Sequence, residues 1–259
     1  MRRLAFRGLL LVGIALGVAG CATQSSDAPA QQIPATRSQA SARTHTELAA
    51  QYYERAQYGV AMDELDKALR ARPDYATAYT VRALVHMALA EYKEADADFK
   101  HSLRLREDDP DTHNNYGWFL SQHGREREAL QHFKTALRDP LYGTPALAYM
   151  NAGICSRKAG EVENAEIFLR KALALQPDMP GALLGLAEVD FVKGDFSAAE
   201  SNFSRYAQTN GAVLSAQDLW LAVRIERNLG NRNAEQSYAL QLRKRFPDAP
   251  ETQLMLSGK

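Results

Sequence analysis

A unit of about 34 residues recurs six times in this chain of 259 residues, and the repetition limits the possible folds more than any other feature. The steps between copies are 34, 34, 36, 34 and 35 residues, and three separate positions keep them. A small residue recurs at Ala49, Ala83, Gly117, Gly153, Ala187 and Ala222. An alanine recurs at Ala61, Ala95, Ala129, Ala165, Ala199 and Ala234. A large apolar residue recurs at Leu65, Phe99, Phe133, Leu169, Phe203 and Tyr238.

The copy between residues 149 and 177 shows what is being repeated. Gly153 and Ala165 are small enough to let two helices approach closely, and Leu169 gives the second helix an apolar edge at helical spacing. Gly160 suits the turn between them, and a terminal proline ends the second helix because it has no N–H to continue it. This is the period and pattern of the tetratricopeptide repeat (TPR), a helix-turn-helix unit.

We therefore predict an all-α fold, a right-handed superhelical TPR solenoid of six helix-turn-helix repeats. Such a solenoid presents a concave groove lined mainly by the first helix of each repeat. A short tail, residues 249–259, is expected to follow and to fray. The predicted repeats are residues 42–75, 76–109, 110–143, 146–179, 180–213 and 215–248.

The composition and the motifs exclude several classes of protein. With 31 basic and 31 acidic residues, the chain lacks the basic surface of a nucleic-acid binder. It contains no phosphate-binding loop, zinc-protease helix, serine-hydrolase elbow or paired-cysteine motif. The six histidines are scattered, and His113 and His123 near Asp109 and Asp111 are the nearest approach to a metal site. We predict no enzyme, no catalytic residue, no cofactor, no metal and no small-molecule substrate.

The N-terminus has the three parts of a secretory signal peptide. Arginines lie within residues 2–7, and Leu9–Ala19 is an apolar run too short for a confident membrane span. The sequence Val18-Ala-Gly-Cys21 that closes it resembles a bacterial lipobox, which predicts a signal peptide over residues 1–20 and lipidation of Cys21. The alternative is an ordinary signal peptide with a cysteine there by chance.

Residues 21–41 are predicted to form a lipidated cysteine followed by a disordered tether, because most residues of the segment are small or polar and prolines interrupt it. Ala22 follows the cysteine in place of the aspartate that retains lipoproteins in the inner membrane of enteric bacteria. We therefore expect a lipid-anchored protein on the periplasmic face of the outer membrane. Cys155 lies within a repeat helix, where a buried and inert thiol is expected.

The concave groove is the predicted site of partner binding. Several of its expected residues are large and apolar, which is typical of a protein-binding strip. The alternative for each is a place in the core between repeats. Arg157 and Lys158 at the rim are placed to meet an acidic group. The predicted groove residues are Tyr53, Leu84, Met87, Trp118, Met150, Ile154, Arg157 and Phe191.

Two asparagines occupy matching places in first helices. Asn115 and Asn151 each lie two residues before the small residue of their repeat. Asparagine is unfavourable within a helix because its amide competes for backbone hydrogen bonds. We expect either a hydrogen bond to a neighbouring turn or contact with the backbone of an extended ligand.

Three stretches carry a resemblance to a known family. They are Asn114-Asn-Tyr-Gly-Trp-Phe-Leu120, the similar Asn151-Ala-Gly-Ile154, and Tyr238-Ala-Leu-Gln-Leu-Arg243 followed by Phe246-Pro247. Together with the lipobox and six repeats, the chain resembles the PilF/PilW family of type IV pilus biogenesis lipoproteins over residues 42–248.

The resemblance implies a pilotin, which binds the secretin subunit (PilQ) and helps it reach the outer membrane and multimerise. One alternative is a TPR lipoprotein adaptor for barrel assembly or peptidoglycan enzymes. A second is an enzyme that uses its repeats to hold a substrate, but few residues lie outside the repeats to form a catalytic domain.

Overall fold

The computed structural model describes residues 35–209 and 213–258, and within these ranges it contains thirteen α-helices and no strand. The signal peptide, Cys21 and residues 21–34 of the predicted tether lie outside the described residues. The helices are α1 Ala35–Glu54, α2 Tyr58–Ala71, α3 Ala76–Ala88, α4 Tyr92–Leu105, α5 Pro110–Gln122, α6 Glu126–Ala136, α7 Pro145–Lys158, α8 Val162–Leu175, α9 Pro180–Lys193, α10 Phe196–Gln208, α11 Ala216–Leu229, α12 Arg232–Arg245 and α13 Pro250–Leu256.

The first twelve helices form six hairpins, each packed on the next, so the predicted all-α TPR solenoid is confirmed. Every hairpin turns at a residue whose φ angle is positive, between 55° and 79°, in the left-handed region. Glycine adopts this region without steric cost, but alanine does not. These turn residues are Ala56, Ala90, Gly124, Gly160, Gly194 and Gly230.

The small residues of the first helices lie where two helices touch. A Cβ atom added to Gly117 would lie 2.9 Å from Phe133 Cε1, and one added to Gly153 would lie 2.5 Å from Leu169 Cγ. Phe133 and Leu169 are fully buried. The close approach of the two helices therefore depends on the missing side chain. All six small residues predicted from the repeat pattern are buried, from Ala49 and Ala83 to Ala187 and Ala222.

Buried polar contacts join neighbouring repeats as well. The hydroxyl of Thr80 in α3 lies 2.8 Å from that of Ser102 in α4 and 2.6 Å from that of Thr112 in α5. The amide of Asn151 in α7 donates a 3.1 Å hydrogen bond to the side-chain oxygen of Asn114 in α5. The expectation for Asn151 is thus corrected, since its partner is an asparagine on the preceding first helix rather than a turn.

Measured between hairpin turns, the step into the sixth repeat is 36 residues, one more than the step of 35 between Ala187 and Ala222. The left-handed turn residue moves from Gly194 to Gly230. The N-cap residue of the second helix moves equally, from Asp195 to Asn231. Val223, which is fully buried, therefore occupies in α11 the place that Ala187 occupies in α9, and Ala222 lies one residue before it.

Both ends of the array extend further than predicted. Helix α1 begins at Ala35, so disorder is the wrong prediction for residues 35–41. That segment contains no proline or glycine, and the helix continues through it from the packed part of α1, where Ala42 and Thr46 are buried. Within the predicted tail, residues 250–256 form α13, which packs on α11 and α12. Thr252 is buried and donates a 2.6 Å hydrogen bond to the carbonyl of Phe246.

Candidate protein-binding groove

The first helices of the repeats line one side of the array. Along the array, α1 packs on α3, α3 on α5, α5 on α7 and α7 on α9. First helices that approach one another in this way form the inner, shorter side of a solenoid. We call this side the inner face. At its C-terminal end α9 and α11 do not pack on each other in the same way, and α13 packs against α11 instead.

Two columns of residues run along the inner face. The first column consists of one residue from each first helix, the residue directly after the small position. Its residues are apolar in repeats two to four and charged in repeats five and six. The second column lies three residues further on. The first column contains Leu84, Trp118, Ile154, Glu188 and Arg224, and the second contains Tyr53, Met87, Arg157 and Phe191 among its residues.

The eight predicted groove residues are all half-buried. Seven of them pack against four successive core clusters, so each contributes to the core while keeping part of its surface exposed. Leu84, Met87 and Trp118 pack against the same cluster, whereas Met150 and Ile154 pack against the next. The predicted groove residues are thus distributed over the length of the array rather than gathered in one cluster.

The rim of the groove is occupied by contacts within the chain. The Nζ atom of Lys158 lies 5.8 Å from the centre of the Trp118 ring and donates a 3.1 Å hydrogen bond to the side chain of Gln122. Arg157 Nε lies 3.0 Å from Glu188 Oε2 on the next repeat. The two basic residues predicted to meet an acidic partner therefore already have partners in the protein itself.

A pocket of about 300 Å³ opens at the C-terminal end of the inner face, where α9 and α11 separate. It brings together two of the predicted groove residues, Arg157 and Phe191, with residues that the sequence did not indicate. We call it the C-terminal pocket. Its walls come from α7, α9, α11 and α13, and its lining includes Glu188, Val192, Gln217, Trp220, Leu221, Arg224, Glu251 and Leu254.

The C-terminal pocket holds two partly desolvated charged groups. The guanidinium carbon of Arg224 lies 4.2 Å from the centre of the Phe191 ring. Burial lowers the pKa of Arg224, and no carboxylate among the described residues lies within 4 Å of it. Burial raises the pKa of Glu188, although the nearby charge of Arg157 opposes the shift. Removing a charge from water is costly unless an opposite charge or hydrogen bonds replace the lost solvation.

The predicted groove contains no residue of the sixth repeat, and the register of that repeat depends on which position is counted. Counting from Ala222 places the first column of α11 at Val223, which is buried, whereas counting from Val223 places it at Arg224.

Helix α13 also had a signal in the sequence. Pro247-Asp-Ala-Pro250 repeats the pattern of Pro177-Asp-Met-Pro180, which leads into α9.

The polar residues considered for other chemistry have structural contacts. His113 Nδ1 lies 2.8 Å from His132 Nδ1, and His123 Nδ1 lies 2.7 Å from the carbonyl oxygen of Phe119. Within residues 35–209 and 213–258, no group of three or more histidine, cysteine or acidic side chains is placed to hold a metal ion. Cys155 is buried and not in a disulfide, and burial raises the pKa of its thiol.

Known proteins resemble this chain over most of its length. The sequence pattern of the tetratricopeptide repeat matches residues 76–109 and 146–179. The type IV pilus assembly protein PilF of Pseudomonas aeruginosa is 28% identical over 248 residues, which are 95% of this chain and 96% of that protein. A solved structure of PilF from the same organism superposes with a TM-score of 0.80 at 27% identity, covering 86% of this chain and 99% of PilF.

A second solved structure decides the family. It is that of PilW, described as a widely conserved type IV pilus biogenesis factor. It is 36% identical to this chain, with a TM-score of 0.75, and the match covers 83% of this chain and 98% of PilW. The chain belongs to the PilF/PilW family of type IV pilus biogenesis proteins. The resemblance inferred from the sequence is therefore confirmed, and within this family the inner face of the TPR array is the candidate surface for protein binding.

Proposed function

We propose that this protein is a pilotin: an outer-membrane lipoprotein scaffold that binds the secretin subunit of the type IV pilus and promotes its localisation and multimerisation. The observation that carries the proposal is the match to PilW at 36% identity over 98% of that structure. The match to PilF over 95% of this chain supports it, because the similarity extends well beyond single repeats.

The inner face supplies a plausible means of holding a partner without any reaction. Its first column is apolar in repeats two to four, through Leu84, Trp118 and Ile154, each half-buried. A partner that covers this row of partly exposed apolar side chains removes them from water, which makes binding favourable. A scaffold needs only to bind the unassembled subunit more tightly than the finished ring, so no catalytic residue is required.

The anchor is part of the proposal and depends on the sequence alone. Cys21 at the end of the lipobox is the proposed lipidation site, and Ala22 favours transport to the outer membrane. Among the helices of the described residues, none has the length and apolar character needed to span a bilayer. Two or more acyl chains on Cys21 would hold the array at the periplasmic face of the outer membrane.

Co-purification in mild detergent tests the proposal. We expect the full-length lipidated protein to recover the secretin subunit, and a deletion strain to lose surface pili and secretin multimers while keeping other outer-membrane barrels. The Cys21→Ser variant should still bind secretin but leave it out of the outer-membrane fraction. Recovery of barrel-assembly components or peptidoglycan enzymes without secretin would instead favour the TPR lipoprotein adaptor.

A further inference from the structure

We propose that the C-terminal pocket binds a carboxylate on a short segment of the protein partner, with an apolar side chain of that segment seated against Val192 and Trp220. The inference rests on the proposed function, since it assigns part of the scaffold's partner to a particular place. It concerns repeats four to six and α13, rather than the apolar column of repeats two to four.

The first argument is the ion pairing within the pocket, whose lining has two arginines and two glutamates. Arg157 and Glu188 form a pair at 3.0 Å across two repeats. Arg224 stands in the same column as Glu188 one repeat later, but it meets the Phe191 ring instead of a carboxylate. Glu251 also lines the pocket, but no ion pair joins it to Arg224 among the described residues. The pocket therefore contains one guanidinium without an anionic partner among the described residues.

The second argument is the hydrogen-bonding capacity of that guanidinium. Arginine has five N–H donors in a planar fork that matches the two oxygens of a carboxylate. An aromatic ring contacts the face of this plane and leaves the N–H groups on its edge free to donate. Phe191 thus holds Arg224 in place in the pocket without using its donors. An incoming carboxylate would replace the solvation that burial has removed.

The third argument is the apolar surface beside the charge. Val192 is 66% exposed and Leu254 is 40% exposed, and both line the pocket with the half-buried Trp220. Isolated exposed apolar residues are ordinary, but here they share one concave site of about 300 Å³ with Arg224. That volume suits one or two side chains of an extended segment. The complementary ligand is therefore acidic and apolar in adjacent positions.

The test uses the detergent-solubilised full chain and an array of overlapping 15-residue peptides that covers the secretin subunit of the same organism. A second array replaces every aspartate and glutamate by its amide. Peptides with a carboxylate next to an aromatic or aliphatic residue should bind the wild type. The Arg224→Gln substitution should weaken the binding of these peptides at least about tenfold, and the amide peptides should bind the wild type equally weakly. The control substitution Arg138→Gln, at an exposed arginine in repeat three, should leave peptide binding unchanged.

A second variant tests the same site without touching a half-buried residue. Val192→Asp adds a negative charge at an exposed position of the pocket, and it should repel the same peptides while the helical circular dichroism and the melting temperature stay unchanged. Loss of secretin co-purification in either variant also supports the inference, even if isolated peptides bind too weakly to detect.

The inference and the proposed function fail in different ways. If secretin co-purifies with both variants as well as with the wild type, the pocket assignment is overturned and the scaffold function stands. If acidic peptides bind the wild type and Arg224→Gln equally, the pocket assignment is overturned as well. If neither secretin nor any of its peptides binds the wild-type chain, both are overturned.

Discussion

The guanidinium of Arg224 in α11 lies over the ring of Phe191 in α9, with 4.2 Å between its central carbon and the ring centre. Glu188 and Arg157 stand in the same relationship one repeat earlier, 3.0 Å apart. In both cases a residue of the second column contacts the first-column residue of the next repeat. Contacts of this kind link neighbouring first helices along the inner face.

Two of the hairpin turns contain an alanine in a conformation that favours glycine. Ala56 and Ala90 have φ angles of 55° and 61°. The left-handed conformation costs an alanine roughly 1–2 kcal/mol, and glycine loses some of that gain through the greater freedom of its unfolded chain. We expect Ala90→Gly to raise the free energy of unfolding by about 0.5–1 kcal/mol, measured by urea denaturation. Gly160→Ala is the reverse control and should lower it.

The close contact at Gly153 should tolerate no added side chain. A Cβ atom there would lie 2.5 Å from Leu169 Cγ, so either the side chain or the helix must move. We expect Gly153→Ala to destabilise the array by about 1–3 kcal/mol, measured as a shift of the thermal or urea midpoint. Gly59 in α2 is the matched control, because nothing lies within 4 Å of its added Cβ. Gly59→Ala should be neutral or stabilising.

The buried asparagine pair should couple repeats three and four. Asn151 donates to Asn114 across 3.1 Å, and both side chains are buried. Replacing Asn151 by alanine leaves the oxygen of Asn114 without its partner, which should cost about 1–3 kcal/mol. A double-mutant cycle with Asn114→Ala measures the coupling directly. Additive effects of the two substitutions would show that the pair contributes nothing beyond its separate contacts.

The histidine pair predicts a loss of stability in mild acid. His113 Nε2 lies 2.7 Å from the carbonyl oxygen of Glu107 and so carries a hydrogen, which leaves His113 Nδ1 to accept from His132 Nδ1. Burial lowers the pKa of His132 from 6.5 to about 4, and repulsion by His113 when that ring is protonated acts in the same direction. The unfolded chain therefore binds more protons than the folded chain between pH 6.5 and pH 4, and stability should fall as the pH is lowered through this window.

Substitution of His132 tests that assignment. The His132→Gln variant removes the titrating group, so its melting temperature should depend less on pH between 6.5 and 4 than that of the wild type. His101→Gln, which replaces a histidine on α4, should leave the wild-type dependence in place. An unchanged pH dependence in His132→Gln would show that other groups cause the acid sensitivity.

Periodicity in the sequence was enough to predict the fold, because a repeated unit must bury the same positions in every copy. The series of small residues from Ala49 to Ala187 is buried as predicted from helix packing. The prediction failed where local composition and long-range packing disagree. Residues 35–41 are polar, yet they continue α1, and residues 250–256 follow the last complete repeat, yet they pack on α11.

The candidate site was harder to predict than the fold. A shift of one residue in a repeat step exchanges a groove position for a core position. Counted from Ala222 the first column of α11 falls on the buried Val223, and counted from the hairpin turn it falls on Arg224. Glu188 and Arg224 are missing from the predicted groove, because large apolar side chains dominate that prediction and Arg157 is its one charged member. Glu188 shares its column with Leu84 and Trp118, but only the structure shows that it contacts Arg157 on the preceding repeat.

Site-specific photo-crosslinking in living cells tests the central claim, that the inner face of this array holds the secretin subunit. A photoreactive phenylalanine analogue replaces Trp118, which is half-buried on the inner face, or Ile167, which is 52% exposed on the second helix α8. The account predicts a crosslink to secretin from position 118 and none from position 167. Secretin crosslinked from position 167 alone, or equally from both positions, would contradict it.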